Sequence, residues 1–262
     1  MPRLPVSLLL SARCRARAWL GLLLCSVLCV GRASADPLPR GEISGTVEHG
    51  GRGGRSMDYR AWIPPDVEPS MRVPMLVGLH GRSRHIDRYG FHFLEIGRHA
   101  PTGTPVIVLA PRIDWDAPWI ETQRLLFLAM ARIVEQYAVD ESRVAILGFS
   151  MGASSALNLA RHNPRRFSAV WAASGLFPDV AVQALKRRTA RVLLSWSGTE
   201  GQCRRTVEVA REIDRGRGLA RAVVFVGGRH EPHLDMFRDE ALLRWFVGPP
   251  SELSGADSPG GG

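Results

Sequence analysis

The residues best suited to chemistry lie in a Gly-x-Ser-x-Gly segment from Gly148 to Gly152, with Ser150 at its centre. An apolar run precedes this segment and a stretch of small residues follows it, which predicts a strand, a sharp turn and a helix. Such a turn strains the backbone of its serine and exposes the hydroxyl at a helix N-terminus, where partial positive charge favours a developing anion. We therefore predict that Ser150 is a nucleophile.

A serine hydroxyl needs a base to accept its proton, and histidine has the appropriate pKa. The histidines after Ser150 are His162, His230 and His233. His162 is expected at the far end of the helix that follows Ser150. With a rise of about 1.5 Å per residue, it lies more than about 15 Å from the serine. His230 follows a predicted strand, Ala222–Val226, through a short glycine loop. We predict His230 as the base, with His233 as the alternative.

The third member of such a site is an acid that orients the imidazole. Its usual place is the loop after the predicted strand Arg191–Trp196, and the acid in that loop is Glu200. Glutamate can perform this role, and a solvated surface glutamate is the alternative interpretation. The alternative is Asp179, for which helix N-capping is the simpler explanation. We predict Glu200 as the acid.

Hydrolysis through a serine also needs two backbone N–H groups that bind the oxyanion. One belongs to the residue after the nucleophile, Met151. The other is expected from the loop that begins at His80, where Gly81 allows a close turn and Arg82 supplies the N–H group. His80 precedes Ser150 in the chain, so we interpret it as a structural residue that supports this loop.

The elements that must position these residues alternate between strands and helices. Short, nearly continuous apolar runs are typical of strands buried on both faces of a parallel sheet. Such runs are Pro74–His80, Pro105–Ala110, Arg143–Gly148, Phe167–Ala172 and Arg191–Trp196. Two further strands, Ile43–His49 and Met57–Ile63, flank a glycine-rich turn. Helices are predicted over Glu121–Val139, Met151–His162, Asp179–Arg188, Arg204–Arg215 and Leu234–Val247. The sequence therefore predicts an α/β fold, a doubly wound, mostly parallel sheet with an N-terminal antiparallel hairpin.

The N-terminal 35 residues have the features of a secretory signal peptide. Arginines precede an apolar stretch, Trp19–Val30, and the small residues Ala33 and Ala35 fit the spacing that signal peptidase accepts. A permanent N-terminal anchor and a lipoprotein are the less favoured alternatives. We predict a signal peptide over 1–35, one domain over 36–248, and a flexible tail rich in glycine, proline and serine over 249–262. The mature protein is expected to be secreted or periplasmic.

Composition limits the remaining classes of function. The formal net charge is +9, but the first 35 residues hold five arginines and no acidic residue, so much of the basicity belongs to the leader. The sequence contains no basic run with interleaved aromatic residues, so we do not expect a nucleic-acid partner. Three of the four cysteines lie in the leader, which leaves Cys203, and one cysteine makes neither an intrachain disulfide nor a zinc site. We expect no metal and no cofactor.

Together these residues resemble the α/β-hydrolase superfamily over about 59–246. The segment from Tyr137 to Arg143, leading into Gly148–Gly152, is similar to the polyhydroxybutyrate depolymerase, feruloyl esterase and enterochelin-esterase-like branch. The resemblance implies a secreted serine esterase without a cofactor, with Ser150 as nucleophile and His230 as base. Its relatives usually carry aspartate where this chain has Glu200.

The length of the predicted domain leaves no room for a large cap, so an open site is expected, with 114–119 at its mouth. The expected substrate is a small-molecule or polymer-linked ester, cleaved through an acyl-enzyme. Acyl transfer or peptide cleavage by the same residues is an alternative, and so is a catalytically silent hydrolase fold that acts as an envelope binding protein. The spacing does not distinguish the natural ester.

Overall fold

The apolar runs form the central sheet of this protein. The computed structural model describes residues 38–50, 54–68, 70–82, 92–100, 104–188, 190–230, 236 and 239–249. Its strands are β1 (Gly41–His49), β2 (Arg55–Ile63), β3 (Val73–Leu79), β4 (Ile107–Pro111), β5 (Val139–Phe149), β6 (Ala169–Ala173), β7 (Arg191–Gly198) and β8 (Leu219–Val226). The predicted signal peptide, all of the predicted tail except Pro249, and His233 lie outside these ranges. The domain boundaries therefore stay predictions.

The described strands form one eight-stranded sheet in the order β1-β2-β4-β3-β5-β6-β7-β8. β1 pairs with β2, and β2 with β4, in antiparallel orientation, and all other neighbours are parallel. Every residue of β3, β4 and β6 is buried, as expected for strands covered on both faces. The predicted mostly parallel sheet with an N-terminal hairpin is confirmed.

Helices cover both faces of the sheet. They are α1 (Leu94–Arg98), α2 (Trp119–Gln136), α3 (Met151–His162), α4 (Asp179–Lys186), α5 (Glu200–Asp214) and α6 (Glu240–Val247). Apolar residues of α2, α3, α4 and α5 join one hydrophobic core, and those of α1 and α6 join a second. The alternating side chains of the strands divide between these two cores, which makes the sheet doubly wound. None of the helices in the described ranges combines the length and hydrophobicity needed to span a membrane.

Several predicted helix boundaries are wrong, for local reasons. The helix predicted to reach Val139 ends at Gln136, because Val139 begins β5 and pairs with Val73 on β3. The helix predicted from Leu234 begins at Glu240, because Asp239 has an extended backbone and its carboxylate accepts a hydrogen bond from the Leu242 N–H. The short helix α1 had no counterpart in the prediction.

The helix predicted from Arg204 begins four residues earlier, at Glu200. Thr199 and Gln202 form a capping box, in which the Thr199 side chain accepts a hydrogen bond from the Gln202 N–H and the Gln202 side chain accepts one from the Thr199 N–H. β7 also continues to Gly198, so Thr199 alone separates this strand from α5. Glu200 therefore lies in the first turn of a helix, whereas the sequence placed it in a loop.

Candidate active site

The predicted turn around Ser150 is present at the carboxyl end of β5. Ser150 has φ 55° and ψ −115°, and α3 begins at the next residue, Met151. A positive φ is uncommon for a residue with a side chain and costs on the order of 1–3 kcal/mol. The Ser150 N–H donates to the Ala173 carbonyl of the neighbouring strand at 2.8 Å, which anchors the strained residue to the sheet.

The two glycines of the motif are required by close approach of the backbone. A Cβ on Gly148 would lie 2.0 Å from the Gly152 carbonyl oxygen, and a Cβ on Gly152 would lie 2.1 Å from the Leu79 carbonyl oxygen. Both contacts involve backbone atoms, so no side chain could rotate away to relieve them. The spacing of the motif therefore follows from packing of α3 against β5 and against the end of β3.

A second strained turn follows β6, beside the first one, and sequence reasoning missed it. Ser174 has φ 49°, and a Cβ on Gly175 would lie 2.6 Å from the Ser150 carbonyl oxygen. The carbonyl of Leu176 accepts a hydrogen bond from the Ser154 hydroxyl on α3 at 3.2 Å. This turn packs directly against the serine turn, and a Ser-Gly pair after a buried strand is the signal that sequence reasoning could have used.

The loop after β3 reaches Ser150, as expected for the early loop that follows an apolar strand and contains Gly81. A Cβ on Gly81 would lie 3.1 Å from the Ser150 Cβ, so only glycine allows this approach without displacement. Arg82 follows directly, and its guanidinium pairs with Asp116 at 2.6 Å on the protein surface. Met151, on the other side of Ser150, is the first residue of α3, so its N–H has no carbonyl acceptor within the helix. The structure thus brings the loop that carries Arg82 next to Ser150, which Met151 follows directly in the chain.

His80 supports this loop from within the protein. It is 1% exposed, its Nε2 accepts a hydrogen bond from the Ile113 N–H at 2.8 Å, and its Nδ1 lies 2.7 Å from the Gly81 carbonyl oxygen. Burial lowers the pKa of His80, which favours the neutral ring. Because the Ile113 N–H can only donate, Nε2 carries no proton, and the proton is on Nδ1. His80 therefore donates to its neighbour and has the structural environment that the sequence suggested.

His230 lies at the same edge of the sheet, four residues beyond the end of β8. Its ring packs on that of Phe149, the residue before Ser150, with 4.9 Å between the ring centroids. This partial burial lowers the pKa of His230. The two rings are 81 positions apart in sequence, and no local pattern indicates their contact. His162 lies at the far end of α3, where its Nδ1 is 2.9 Å from the Asn158 carbonyl oxygen.

Neither candidate acid faces His230. Glu200 pairs with Arg204 one turn along α5, at 3.2 Å, and is 77% exposed. Asp179 is the first residue of α4 after the N-cap Pro178, and its carboxylate lies 3.8 Å from Arg205. Among the described residues, no hydrogen bond connects either carboxylate to the imidazole. The ends of β7 and β8 are nevertheless neighbours, because Gly198 pairs with Val226 and the Gly227 N–H donates to the Gly198 carbonyl. Glu200 follows β7 by two residues and His230 follows β8 by four, so the two residues begin from the same part of the sheet edge.

This arrangement has the parts of an acyl-transfer site: a half-buried serine with a strained backbone, a histidine above the same sheet edge, and backbone N–H groups on the residue after the serine and on the loop after β3. The histidine pKa is lowered, so its ring is largely neutral near pH 7 and can accept a proton. Charge around the site comes from exposed arginine and carboxylate pairs.

Comparison with protein families matches residues 51–185 to the Esterase family. This match includes the loop after β3, the serine turn and the strained turn after β6, and it ends before β7. A comparison with curated proteins finds no match.

Solved structures with a similar fold include several esterases. A thermostable esterase superposes with a TM-score of 0.63 at 18% identity, covering 78% of this chain and 62% of its own. A ferulic acid esterase has a TM-score of 0.59 at 17% identity, with 79% and 100% covered. S-formylglutathione hydrolase from Staphylococcus aureus has a TM-score of 0.55 at 15% identity, with 80% and 99% covered. These similarities confirm the predicted α/β-hydrolase fold.

Proposed function

Because this chain belongs to the Esterase family and is a carboxylic ester hydrolase, we propose that it acts through an acyl-enzyme on Ser150, with His230 as its base. The observation that carries this proposal is the strained backbone of Ser150, φ 55°, at a strand-to-helix turn. Backbone strain of this kind persists only where the surrounding structure enforces it, and here the glycines and the bond to Ala173 do so.

The reaction has two halves. His230 accepts the hydroxyl proton as Ser150 Oγ bonds to the ester carbonyl carbon, and the carbonyl oxygen becomes an oxyanion. The C–O bond to the alcohol then breaks, and His230 returns the proton to the departing alcohol. In the second half a water molecule gives its proton to His230 as its oxygen bonds to the acyl carbon. The bond between the acyl carbon and Ser150 Oγ then breaks, His230 returns the proton to Oγ, and the carboxylic acid leaves.

The N–H groups of Met151 and Arg82 stabilise the oxyanion in both halves. Met151 begins α3, so its N–H also benefits from the partial positive charge of the helix N-terminus. Arg82 directly follows Gly81, and the close approach of Gly81 to the Ser150 side chain holds this part of the loop beside the serine. Each such donor typically contributes a factor of about 100–1,000 to the rate.

Glu200 is our proposed acid, and it acts after leaving Arg204. An exposed pair between positions i and i+4 of a helix contributes only about 0.3–0.5 kcal/mol, so its loss costs little. An imidazolium on the adjacent loop is a competing partner that forms during each half-reaction. Asp179 is the less favoured candidate for the acid, because the strand that precedes it, β6, is separated from β8 by β7.

We also propose that the enzyme works outside the cytoplasm on an ester that reaches an open site. The support is the leader, with its apolar stretch Trp19–Val30 and small residues before the predicted cleavage. Within the described ranges no helical cap covers the carboxyl edge of the sheet. Hydrolysis of small-molecule or polymer-linked esters suits such a site, whereas acyl transfer and peptide cleavage remain alternative outcomes of an assay with added alcohols or peptides.

A fluorophosphonate probe tests the proposed function directly. We expect the probe to label the folded protein with a stoichiometry near one, and peptide mass spectrometry to place the label on Ser150. The Ser150→Ala variant is the matched control and should not be labelled. Absence of labelling in a folded protein that also leaves p-nitrophenyl acetate intact would identify a catalytically silent hydrolase fold.

The pH dependence of kcat/KM should reflect His230 in the free enzyme. Only the neutral ring accepts a proton, and partial burial lowers the pKa of His230. Activity is then lost as the pH falls through this pKa, so the acidic inflection should lie below about 6.5, the ordinary value for histidine. Initial rates with p-nitrophenyl acetate between pH 4.5 and 8 measure it, corrected for spontaneous hydrolysis. An inflection above 6.5 that falls in Glu200→Gln would show instead that the carboxylate already faces the ring.

A further inference from the structure

The peptide between Gly81 and Arg82 has an unusual environment on its carbonyl side. The Gly81 carbonyl oxygen accepts two hydrogen bonds, from His80 Nδ1 at 2.7 Å and from the Trp115 ring N–H at 3.2 Å. Trp115 Nε1 also lies 3.4 Å from His80 Nδ1, but that nitrogen carries the proton given to Gly81, so the carbonyl is the acceptor for both groups. Both lone pairs of this oxygen are thus occupied.

The position of Trp115 is itself fixed by the segment from Ile113 to Trp119. Its ring stacks on Trp119 with an interplanar angle of 3° and meets His80 edge-on at 82°. The Ile113 N–H donates to His80, and the Asp116 N–H donates to the Asp114 carboxylate at 2.9 Å. The segment therefore holds the loop after β3 through several bonds, of which only the Trp115 bond reaches the Gly81 carbonyl.

A planar trans peptide points its C=O and its N–H in opposite directions. Fixing the Gly81 carbonyl against His80 and Trp115 therefore also fixes the Arg82 N–H, which points away from both rings. Among the described residues this N–H has no hydrogen-bond acceptor. Gly81 meets Ser150 on this loop, so the free N–H is available to an oxyanion formed there.

We propose that Trp115 is a positioning residue for ester hydrolysis, whose ring N–H orients the Gly81–Arg82 peptide so that the Arg82 N–H binds the oxyanion. This inference rests on the proposed function and adds to it the residue that prepares one of its two donors. Donation to a carbonyl also polarises the peptide, which makes the N–H of the same peptide a better donor. Trp115 thus acts through Arg82 and does not touch the reacting atoms.

The test removes the ring N–H and keeps an aromatic side chain. Trp115→Phe should lower kcat for p-nitrophenyl acetate about 3- to 20-fold, since it removes one hydrogen bond that acts indirectly, with KM changed less than about twofold. The affinity for a trifluoromethyl ketone, which forms an oxyanion on Ser150, should fall by the same factor as kcat. Trp245→Phe, on α6 at the opposite face, is the matched control and should leave kcat, KM and this affinity within about twofold.

A second variant guards against a loss of folding. Replacing Trp115 with the analogue that carries sulfur in place of the ring N–H keeps its shape and its stacking on Trp119, so the same kcat loss is expected in a protein with unchanged thermal stability. Unchanged kcat in this variant, or an increase in KM alone, would overturn the inference and assign Trp115 to packing or to substrate contact. Because Ser150→Ala tests the proposed function separately, an inactive Ser150→Ala beside a fully active Trp115 variant contradicts this inference only.

Discussion

Replacing Ser150 with alanine should lower the rate of ester hydrolysis by at least about a thousandfold and leave the protein folded. The covalent route disappears with the hydroxyl, although the N–H groups of Met151 and Arg82 remain in place. Alanine keeps the Cβ, so the backbone strain at φ 55° changes little. Hydrolysis of p-nitrophenyl acetate by the purified variant measures the loss, and circular dichroism with a thermal melt establishes that the variant is folded.

Ser154→Ala is the matched control, because it removes a hydroxyl from the same helix one turn later. The Ser154 hydroxyl donates to the Leu176 carbonyl at an exposed position, so its loss should change the rate less than about threefold. Unchanged turnover in Ser150→Ala, measured with protein free of any wild-type enzyme, would reject the nucleophile and with it the whole proposed mechanism.

Glu200→Gln should lower kcat by about two to four orders of magnitude, by analogy with amide replacement of an acid that orients a catalytic histidine. The amide retains the size of the side chain but no longer stabilises the imidazolium on His230. Asp179→Asn should change the rate little, because its carboxylate faces Arg205 on the surface of α4 and α5. Rates of both variants with p-nitrophenyl acetate provide the comparison.

The losses should not add when Glu200→Gln is combined with His230→Ala, since the members of one triad act as a unit. A ranking in which Asp179→Asn is the slower variant would transfer the role of the acid to Asp179. If neither carboxylate matters, the assignment of His230 fails as well, and His233→Ala becomes the decisive measurement.

The steric origin of the serine turn explains why sequence alone located it. Gly148, Ser150 and Gly152 lie within five residues, and the contacts that require the glycines arise wherever a strand turns sharply into a helix at such a serine. The strands could also be predicted from the sequence, because burial on both faces requires continuous apolar residues and this gives a recognisable pattern. Helix ends were predicted less well, although the capping box of Thr199 and Gln202 is a local signal that would have placed Glu200 in a helix.

The partner of Glu200 shows how such a boundary error propagates. With Glu200 in a loop, its carboxylate is free to face His230, whereas with Glu200 in the first turn of α5, Arg204 lies one turn away on the same face. The pairing is local and follows from the corrected helix start. The contact of His230 with Phe149 does not, because it depends on the order of β5 and β8 in the sheet.

The sequence by itself determined the fold class and the position of the serine turn, and it predicted Ser150, Met151 and Arg82 as site residues, because buried strands and a sharp strand-to-helix turn each leave a local pattern in the chain. Only the tertiary structure decided which groups hold those residues in place. Trp115 reaches the Gly81 carbonyl across 34 positions, and His230 reaches Phe149 across 81. Contacts of this kind are set by how strands align and how loops pack at one edge of the sheet, and this packing leaves no periodic trace in the chain.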